Sequence, residues 1–364
     1  MLKQLAKTSS ILITGGAGFI GTRLIDRLSL AGIEKIFVLD NFLEQVHGNN
    51  RPTFSSVVTC EVGDIADEGL VRRFVRDADP DVIFHMAADT GTGQSMDLPR
   101  RYCTTNITGT AILLEALKAI SMPDKSRHIV LPSSRAVYGE GAYSLENGTI
   151  APGPNRSPAD LATGKFDIAE IRGLRAEPIK TPEETPPNPA SVYGSTKLMQ
   201  EYLVAQLAPV SGLSATILRL QNVYGPGQSL SNPYTGIISN FIETVRQGNR
   251  INIFEDGKIS RDFIHVEDVV SALVAAASVK EYPNPINIGS GQATSIIELS
   301  SILLRVLGAP PHDFFISGQF RAGDIRHAVA DIRRAREILS WSPSIGLEEG
   351  LRSVVDWSTQ KTSN

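Results

Sequence analysis

The sequence predicts an α/β protein built on a doubly wound parallel sheet. Its first half alternates short apolar runs with helix-like segments, which is the order expected when each strand is followed by a crossover helix. The runs are apolar throughout instead of alternating with polar residues, as in parallel strands that are buried on both faces. A glycine-rich turn joins the first run to the first helix.

The elements can be placed in order along the chain. The predicted strands are "ILIT" (11–14), "KIFVLD" (35–40), "SVVTCEV" (56–62), "DVIFHMA" (81–87), "HIVLPSS" (128–134) and "SATILRL" (214–220), with helices at 22–30, 104–119 and 192–208. Beyond residue 222, strands at 251–254 and 285–289 and helices at 266–278, 295–307 and 331–339 predict a smaller mixed α/β region over the edge of the sheet. We therefore divide the chain into a Rossmann-type domain at 1–221 and a C-terminal region at 222–364, with some elements interleaved.

The segment 140–190 interrupts this alternation. It is rich in proline and glycine ("APGPNRSP", "KTPEETPPNPA") and only weakly periodic. An excursion of this length inside a compact domain is usually a lid, an interaction element or a disordered insert. We expect a lid near the active site, with a surface or oligomer element as the alternative.

Composition excludes several classes of function. With 364 residues, 41% of them hydrophobic and 20% charged, the chain is typical of a globular protein. The net charge of −4 without a basic stripe argues against nucleic acid, and no apolar run approaches the ~20 residues of a membrane span. Two cysteines, Cys60 and Cys103, form no disulfide framework and indicate reduced thiols in the cytoplasm. The six histidines lack metal-binding spacing, so no metal site is expected.

The glycine turn indicates a dinucleotide site. Gly16, Gly18 and Gly21 match G-x-G-x-x-G, while Gly15, Gly18 and Gly21 match G-x-x-G-x-x-G. Such glycines permit a tight turn and let the backbone approach a pyrophosphate at a helix N-terminus. Asp40 ends the next strand, where a carboxylate accepts ribose hydroxyls and repels a 2′-phosphate. Because Asn41 follows instead of an arginine, NAD is favoured over NADP; the alternative is a structural turn without ligand.

A tyrosine and a lysine in "SVYGSTK" (191–197) provide candidate catalytic groups. Tyr193 and Lys197 share one face of a helix, where the lysine can also hold the nicotinamide ribose. A tyrosine base near neutral pH needs roughly 4 kcal/mol of stabilisation, and an ammonium about 4 Å away supplies a similar amount at an effective dielectric of about 20. Ser134 ends a predicted strand beside the crevice and can orient a substrate oxygen. Alone, such a Tyr–Lys pair is more often a surface pair, and such a serine is more often a turn residue. Together, behind the glycine turn, they predict a catalytic set.

A series of motifs extends this pattern along the chain. They are "TGGAGFIG" (14–21), "LDN" (39–41), "GDI" (63–65), "HMAA" (85–88), "NITGT" (106–110), "SSRAVYG" (133–139), "YGSTK" (193–197), "RLQNVYGPGQ" (219–228), "RDFIHVEDV" (261–269) and "RAGD" (321–324). In this combination the chain resembles the extended short-chain dehydrogenase/reductase family, specifically its NAD-dependent nucleotide-sugar epimerases and dehydratases. The resemblance implies that 1–221 binds NAD and 222–364 binds a nucleotide-diphosphate sugar, in a homodimer formed by the helices near 104–119 and 193–208.

The resemblance also implies roles for individual residues. NAD is expected to contact Gly15, Gly18, Phe19, Ile20, Gly21, Asp40, Asn41, Asp64, Ile65, Ala87, Ala88, Asn106, Tyr193 and Lys197. The sugar nucleotide is expected to contact Thr90, Ser134, Arg135, Asn222, Arg261 and Arg321, the last three at its diphosphate. Ser134, Tyr193 and Lys197 form the implied catalytic set.

The residues after Ser134 indicate the reaction. In the 4,6-dehydratases of the family, an Asp-Glu pair follows the catalytic hydroxyl. This pair removes a proton at C5 of the sugar and protonates the leaving hydroxyl at C6. Here those positions are Arg135 and Ala136. Elimination therefore lacks its proton carriers, and the resemblance implies a 4-epimerase in which hydride leaves and returns at C4.

The longer segments indicate a substrate. "HMAADTGTGQS" (85–95), "SSRAVYGEG" (133–141) and "QNVYGPGQSLSNPYTG" (221–236) resemble bacterial dTDP-L-rhamnose 4-epimerases, which make dTDP-6-deoxy-L-talose. The alternatives are a UDP-hexose or UDP-uronate 4-epimerase, a nucleotide keto-sugar reductase, and a catalytically silent NAD-sensing scaffold of the same fold.

Overall fold

Helices cover both faces of a central parallel sheet, as the alternation of strands and helices predicts. The computed structural model describes residues 7–48, 51–229, 236–279, 282–321 and 323–362. The strands are β1 Ser10–Thr14, β2 Lys35–Asp40, β3 Val58–Val62, β4 Val82–His85, β5 Arg127–Ser134, β6 Ala142–Leu145, β7 Ile150–Pro152, β8 Glu170–Ile171, β9 Leu174–Ile179, β10 Leu213–Leu220, β11 Asn222–Tyr224, β12 Ile251–Ile253, β13 Ser260–Arg261, β14 Phe263–His265, β15 Tyr282–Ile288, β16 Thr294–Ser295, β17 Phe314–Ile316 and β18 His327–Ala328. The helices are α1 Phe19–Leu30, α2 Glu44–His47, α3 Glu68–Ala78, α4 Thr92–Asp97, α5 Pro99–Tyr102, α6 Gly109–Ala119, α7 Pro158–Ala162, α8 Val192–Val210, α9 Ile237–Arg246, α10 Val266–Ala276, α11 Ile296–Leu307, α12 Arg333–Leu339 and α13 Leu347–Thr362.

The central sheet has seven strands in the order β15-β10-β5-β4-β1-β2-β3, and every pair is parallel. Strand order reverses between β1 and β4, so the loops that follow these two strands diverge. In sheets of this kind ligands bind in the crevice at such a reversal, at the carboxyl ends of the strands.

Two apolar clusters sandwich the sheet. On β1, Ile11 and Ile13 face a cluster completed by α1 and α10, while Leu12 faces a cluster completed by α3, α6 and α8. All three side chains are fully buried. Burial on both faces accounts for the unbroken apolar runs in the sequence and confirms the doubly wound arrangement.

Two predicted elements differ in detail. The helix predicted at 104–119 starts as a π-helical turn, Cys103–Thr108, and only then continues as α6. The strand predicted at 285–289 starts earlier, at Tyr282, and joins the edge of the central sheet instead of the C-terminal region. It does so because α10, which precedes it, packs against α1 as one more crossover helix.

The other C-terminal elements form a smaller lobe. Helices α9, α11 and α13 pack around an apolar cluster with strands β12 and β14. Short sheets pair β11 with β14, β12 with β17, and β13 with β16 and β18. Since α10 and β15 belong to the layers of the central sheet, the chain crosses between the two parts, and the boundary at 221/222 stays a prediction.

The insert at 140–190 has regular structure of its own. Strands β6 to β9 form an antiparallel sheet in the order β7-β6-β9-β8. A small apolar cluster of Tyr143, Leu145, Ile171 and Ala176 lies on it. The insert therefore folds as a layer with a small apolar core of its own. The closing movement expected of a lid stays a prediction.

Two further features are absent from the described ranges. No helix there combines the length and apolar character needed to span a membrane. Nor does that part of the chain bring three or more His, Cys, Asp or Glu side chains together as a metal site. Cys60 and Cys103 are free thiols.

Candidate active site

The predicted site residues converge at the carboxyl edge of the central sheet. Gly15, Asp40, Asp64, Ala87 and Ser134 lie at or within two residues of the ends of β1 to β5. Helix α8, which carries Tyr193 and Lys197, packs against β5 and against the short 3₁₀ turn that follows it. The structure thus brings the glycine turn, the acid at the end of β2 and the Ser–Tyr–Lys set to one crevice.

The glycine turn leaves room for a pyrophosphate. At Gly15, where φ is 67°, a Cβ would lie 2.7 Å from the backbone nitrogen of Ala87; at Gly21 it would lie 2.5 Å from the carbonyl oxygen of Gly16. At Gly18 the nearest heavy atom would be 3.3 Å away, and no side chain caps α1 there. The first and last glycines therefore permit close backbone contacts, while Gly18 leaves the N-terminus of α1 open to an anion.

Asp40 fits the ribose of the same ligand. Its buried carboxylate accepts hydrogen bonds from the backbone N–H groups of Ala17 and Phe42, both at 2.9 Å. Each carboxylate oxygen keeps further acceptor capacity for a hydroxyl. Beside it, Asn41 Nδ2 donates to Asp64 Oδ2 at 3.2 Å, which holds the loops after β2 and β3 together. These residues fit NAD, whose adenosine ribose carries free 2′- and 3′-hydroxyls.

A close approach of α8 to the end of β5 assembles the catalytic set. Ser191 caps α8 by accepting from the N–H of Gly194 at 3.1 Å. A Cβ at position 194 would lie 2.6 Å from the carbonyl oxygen of Ala136, so a larger residue would push the helix away from the turn after Ser134. With glycine there, Ser134 lies near enough to Tyr193 for its hydroxyl to counteract the effect of burial on the Tyr193 pKa.

The electrostatics of Tyr193 differ from the expectation. Burial raises the pKa of Tyr193, and the hydroxyl of Ser134 and the positive charge of Arg135 oppose that rise. The spacing of the two residues predicts that Lys197 lowers the pKa of Tyr193, but Lys197 Nζ instead donates to Gln200 Oε1 at 2.5 Å. Burial lowers the pKa of Lys197 to about 7, against the opposing charge of Glu201.

A buried polar chain behind Lys197 was missed by sequence reasoning. Gln200 Nε2 donates to Thr110 Oγ1 at 2.7 Å, and Thr110 Oγ1 donates to the carbonyl of Asn106 at 2.6 Å. His85 Nε2 lies 2.8 Å from Thr110 Oγ1 and its Nδ1 lies 2.8 Å from Thr14 Oγ1. The Thr110 hydroxyl has one hydrogen, which is engaged, so His85 must donate from Nε2. Burial lowers the pKa of His85 to about 3, so this histidine is neutral.

The residues expected at a diphosphate are only partly assembled. Arg135 Nε donates to Asn222 Oδ1 at 3.2 Å, and Arg261 pairs with Asp324 at 2.6 Å. Arg321 is exposed and lies over the ring of Phe254, 4.8 Å from its centroid.

Arg135 has spare binding capacity. Burial and the charge of Arg261 lower its pKa to about 10, and among the described residues its buried Nη1 has no hydrogen-bond partner. An unpaired buried guanidinium donor is costly, so it points to an oxygen-bearing ligand. Residues 230–235 of the 221–236 motif and Ala322 of "RAGD" lie outside the described residues.

Asn106 and Thr90 support the loop after β4. Asn106 is fully buried; its Nδ2 donates to the carbonyl of Asp89 and to Thr196 Oγ1, and its Oδ1 accepts from the N–H of Asp89. Both amide hydrogens are engaged, which leaves only spare acceptor capacity on Oδ1 for NAD. The carbonyl of Thr90 accepts from the hydroxyl of Tyr102 at 2.8 Å.

Known proteins share this arrangement over nearly the whole chain. Residues 11–159 and 169–289 of this chain match the model of the NAD dependent epimerase/dehydratase family. The chain is 40% identical to the dTDP-L-rhamnose 4-epimerase of Burkholderia thailandensis, over 98% of this chain and 97% of the other. It is 31% identical to a UDP-glucose 4-epimerase of Mycolicibacterium smegmatis, over 96% and 99% of the two chains.

A solved structure adds ligands to the comparison. The protein MoeE5 in complex with UDP-glucose and NAD superposes with a TM-score of 0.75 at 30% identity, covering 97% of this chain and 99% of that one. Together with the glycine turn, the open helix N-terminus and the Asp40 carboxylate, these matches make NAD the cofactor. The chain belongs to the NAD dependent epimerase/dehydratase family.

Proposed function

We propose that this enzyme inverts C4 of a nucleotide-diphosphate sugar, with dTDP-L-rhamnose as substrate and dTDP-6-deoxy-L-talose as product. The observation that carries the reaction is the pair of residues after Ser134. Arg135 donates to Asn222, and Ala136 donates its backbone N–H to Ser134 Oγ. Neither side chain is an acid, so the site has one proton-transfer centre, at Tyr193. One centre suits oxidation and reduction at a single carbon.

The chemistry follows from the positions of these groups. Tyr193, as its phenolate, removes the proton of the C4 hydroxyl, and the Ser134 hydroxyl and the positive charge of Arg135 favour that charged form. Ser134 also orients the C4 oxygen of the substrate. The site would hold NAD so that its nicotinamide could supply the acceptor and donor of the C4 hydride. The 4-keto sugar presents its other face before the hydride returns, and Tyr193 then gives its proton back to the carbonyl oxygen. Atoms and electrons balance without an external reductant.

The remaining residues bind the substrate in this proposal. Asn222, Arg261 and Arg321 hold the diphosphate, since guanidinium and amide donors suit a dianion. The unpaired Nη1 of Arg135 donates to an oxygen of the same ligand. A homodimer through the helices near 104–119 and 193–208 is part of the proposal.

Product analysis tests the substrate. The purified protein is incubated with dTDP-, UDP-, GDP- and CDP-linked sugars, and each product is identified by NMR. We expect dTDP-L-rhamnose to give dTDP-6-deoxy-L-talose without consumption of added cofactor. Conversion of UDP-glucose or UDP-glucuronate alone would assign a different 4-epimerase, and stoichiometric NADH or NADPH consumption would assign a reductase. The 40% identity to a dTDP-L-rhamnose 4-epimerase, against 31% to a UDP-glucose 4-epimerase, supports the first outcome.

A further inference from the structure

A cluster of buried charges joins the insert to the segment 323–328. From the insert, Arg156 contacts Glu140 at 2.9 Å and Glu255 at 2.8 Å; from the segment, Arg326 contacts Glu255 at 3.0 Å and Asp256 at 2.7 Å. We call these five residues the ionic clasp. The side chains of Glu140, Arg156, Glu255 and Arg326 are each at most 4% exposed.

The ionic clasp also binds the backbone of that segment. Arg156 Nη2 donates to the carbonyl oxygen of Asp324 at 2.8 Å, and the N–H of Arg326 donates to Glu140 Oε2 at 2.6 Å. Beside the first of these anchors, the carboxylate of Asp324 pairs with Arg261 at 2.6 Å. The insert therefore fixes the main chain from the carbonyl of Asp324 to the N–H of Arg326, next to a side chain that touches the proposed diphosphate site.

The backbone conformation of Glu255 indicates that its surroundings hold this region in one conformation. Its φ is 52°, in the left-handed region that a residue with a Cβ adopts only when its surroundings impose it. Glu255 is 1% exposed, and its two carboxylate oxygens pair with Arg156 and Arg326. Removing one charge would leave the others buried without compensation, which proteins tolerate poorly.

We propose that Arg156 is a positioning residue for the nucleotide-sugar site, acting through the ionic clasp on segment 323–328. This rests on the proposed function, because it assumes that Arg261 and Arg321 bind the diphosphate. The insert then serves as a fixed support for the nucleotide end of the substrate, and its loss changes affinity for the nucleotide before it changes the chemistry at C4.

Substitution of Arg156 tests the proposal. Arg156→Met removes the charge, and Arg156→Lys keeps a charge that cannot reach three partners at once. Arg175→Met is the matched control, because Arg175 pairs with Glu177 on the exposed face of the same insert. Dissociation constants for dTDP and UDP are measured by calorimetry, beside bound NAD, thermal unfolding and kcat at saturating substrate. We expect both Arg156 variants to bind the nucleotide about 10- to 100-fold more weakly, with NAD content and kcat unchanged and Arg175→Met like wild type.

The contrary outcomes separate the positioning role of Arg156 from the proposed function. Wild-type nucleotide affinity in folded Arg156→Met overturns the role of the ionic clasp, and Arg156→Lys decides by the same criterion if Arg156→Met does not fold. Equal losses of NAD and nucleotide would show general destabilisation and also overturn it. If the wild-type protein binds neither dTDP nor UDP, the proposed function fails first and the positioning role fails with it.

Discussion

Replacing Gln200 with methionine tests how the catalytic lysine is held. Gln200 is fully buried, its Oε1 accepts from Lys197 Nζ at 2.5 Å, and its Nε2 is fixed by Thr110 at 2.7 Å. Methionine has a similar length but offers no comparable acceptor. The ammonium would remain buried without this partner, so the pKa of Lys197 should fall below its value of about 7.

The size and sign of the effect follow from that contact. A hydrogen bond to a charged group contributes about 1.5–3 kcal/mol, which at about 1.4 kcal/mol per pKa unit corresponds to a fall of about one to two units. In the proposed function the charged form of Lys197 holds the nicotinamide ribose, so activity is lost as pH rises through the lysine pKa. The basic limb of kcat/KM should therefore move to lower pH by about one to two units in Gln200→Met. Gln200→Glu, which adds a negative charge, should move it to higher pH.

The assay is the pH dependence of kcat/KM for wild type and both variants, with bound NAD and thermal unfolding as controls. A merely structural role for Gln200 would lower activity at all pH values without moving the limb. Limbs that coincide within about 0.3 of a pH unit, or that move in the same direction in both variants, would refute the reasoning.

Three further predictions follow from the site. Asp40→Asn keeps an acceptor for the N–H of Ala17 but loses the charge, so calorimetry should show relaxed discrimination against NADP; an unchanged ratio of NAD to NADP affinity would contradict an electrostatic role. Tyr193→Phe should retain NAD and lower turnover by roughly 10²- to 10⁴-fold, and a variant with more than about a tenth of wild-type activity would count against Tyr193 as the proton carrier. Glu201→Leu leaves Arg219 buried without the carboxylate that lies 2.6 Å from it in the wild type. The free energy of unfolding, measured in denaturant, should fall by about 3–5 kcal/mol, and a fall below about 1 kcal/mol would show that water reaches Arg219.

The central sheet and the cofactor turn were predictable because their signals are local. Each strand is a contiguous apolar run, and the glycines and Asp40 stand at spacings that the backbone geometry of a βαβ unit requires. Gly194 carried a further signal, since only a residue without a side chain permits the contact with Ala136.

The rest depends on contacts between distant segments. Gln200, Thr110 and His85 lie on α8, α6 and β4, and nothing in their local sequence indicates that they form one chain. The strands of the insert are two to six residues long and one contains Pro178, so periodicity could not reveal their sheet. The lowering of the Tyr193 pKa by Lys197 was expected from helical spacing alone, whereas the rotamer of Lys197 is set by Gln200, three residues further along the helix.

The most direct test of the account is the fate of the hydrogen at C4. Nucleotide-linked L-rhamnose deuterated at C4 is converted by the enzyme, and the product is examined by NMR for the position of the label and the configuration of the sugar. The account predicts that deuterium stays at C4 with inverted configuration, because the same hydride leaves and returns while Tyr193 carries the only exchangeable proton. Loss of the label to solvent, loss of water from the sugar, or label recovered in free NADH would contradict epimerisation at a single carbon.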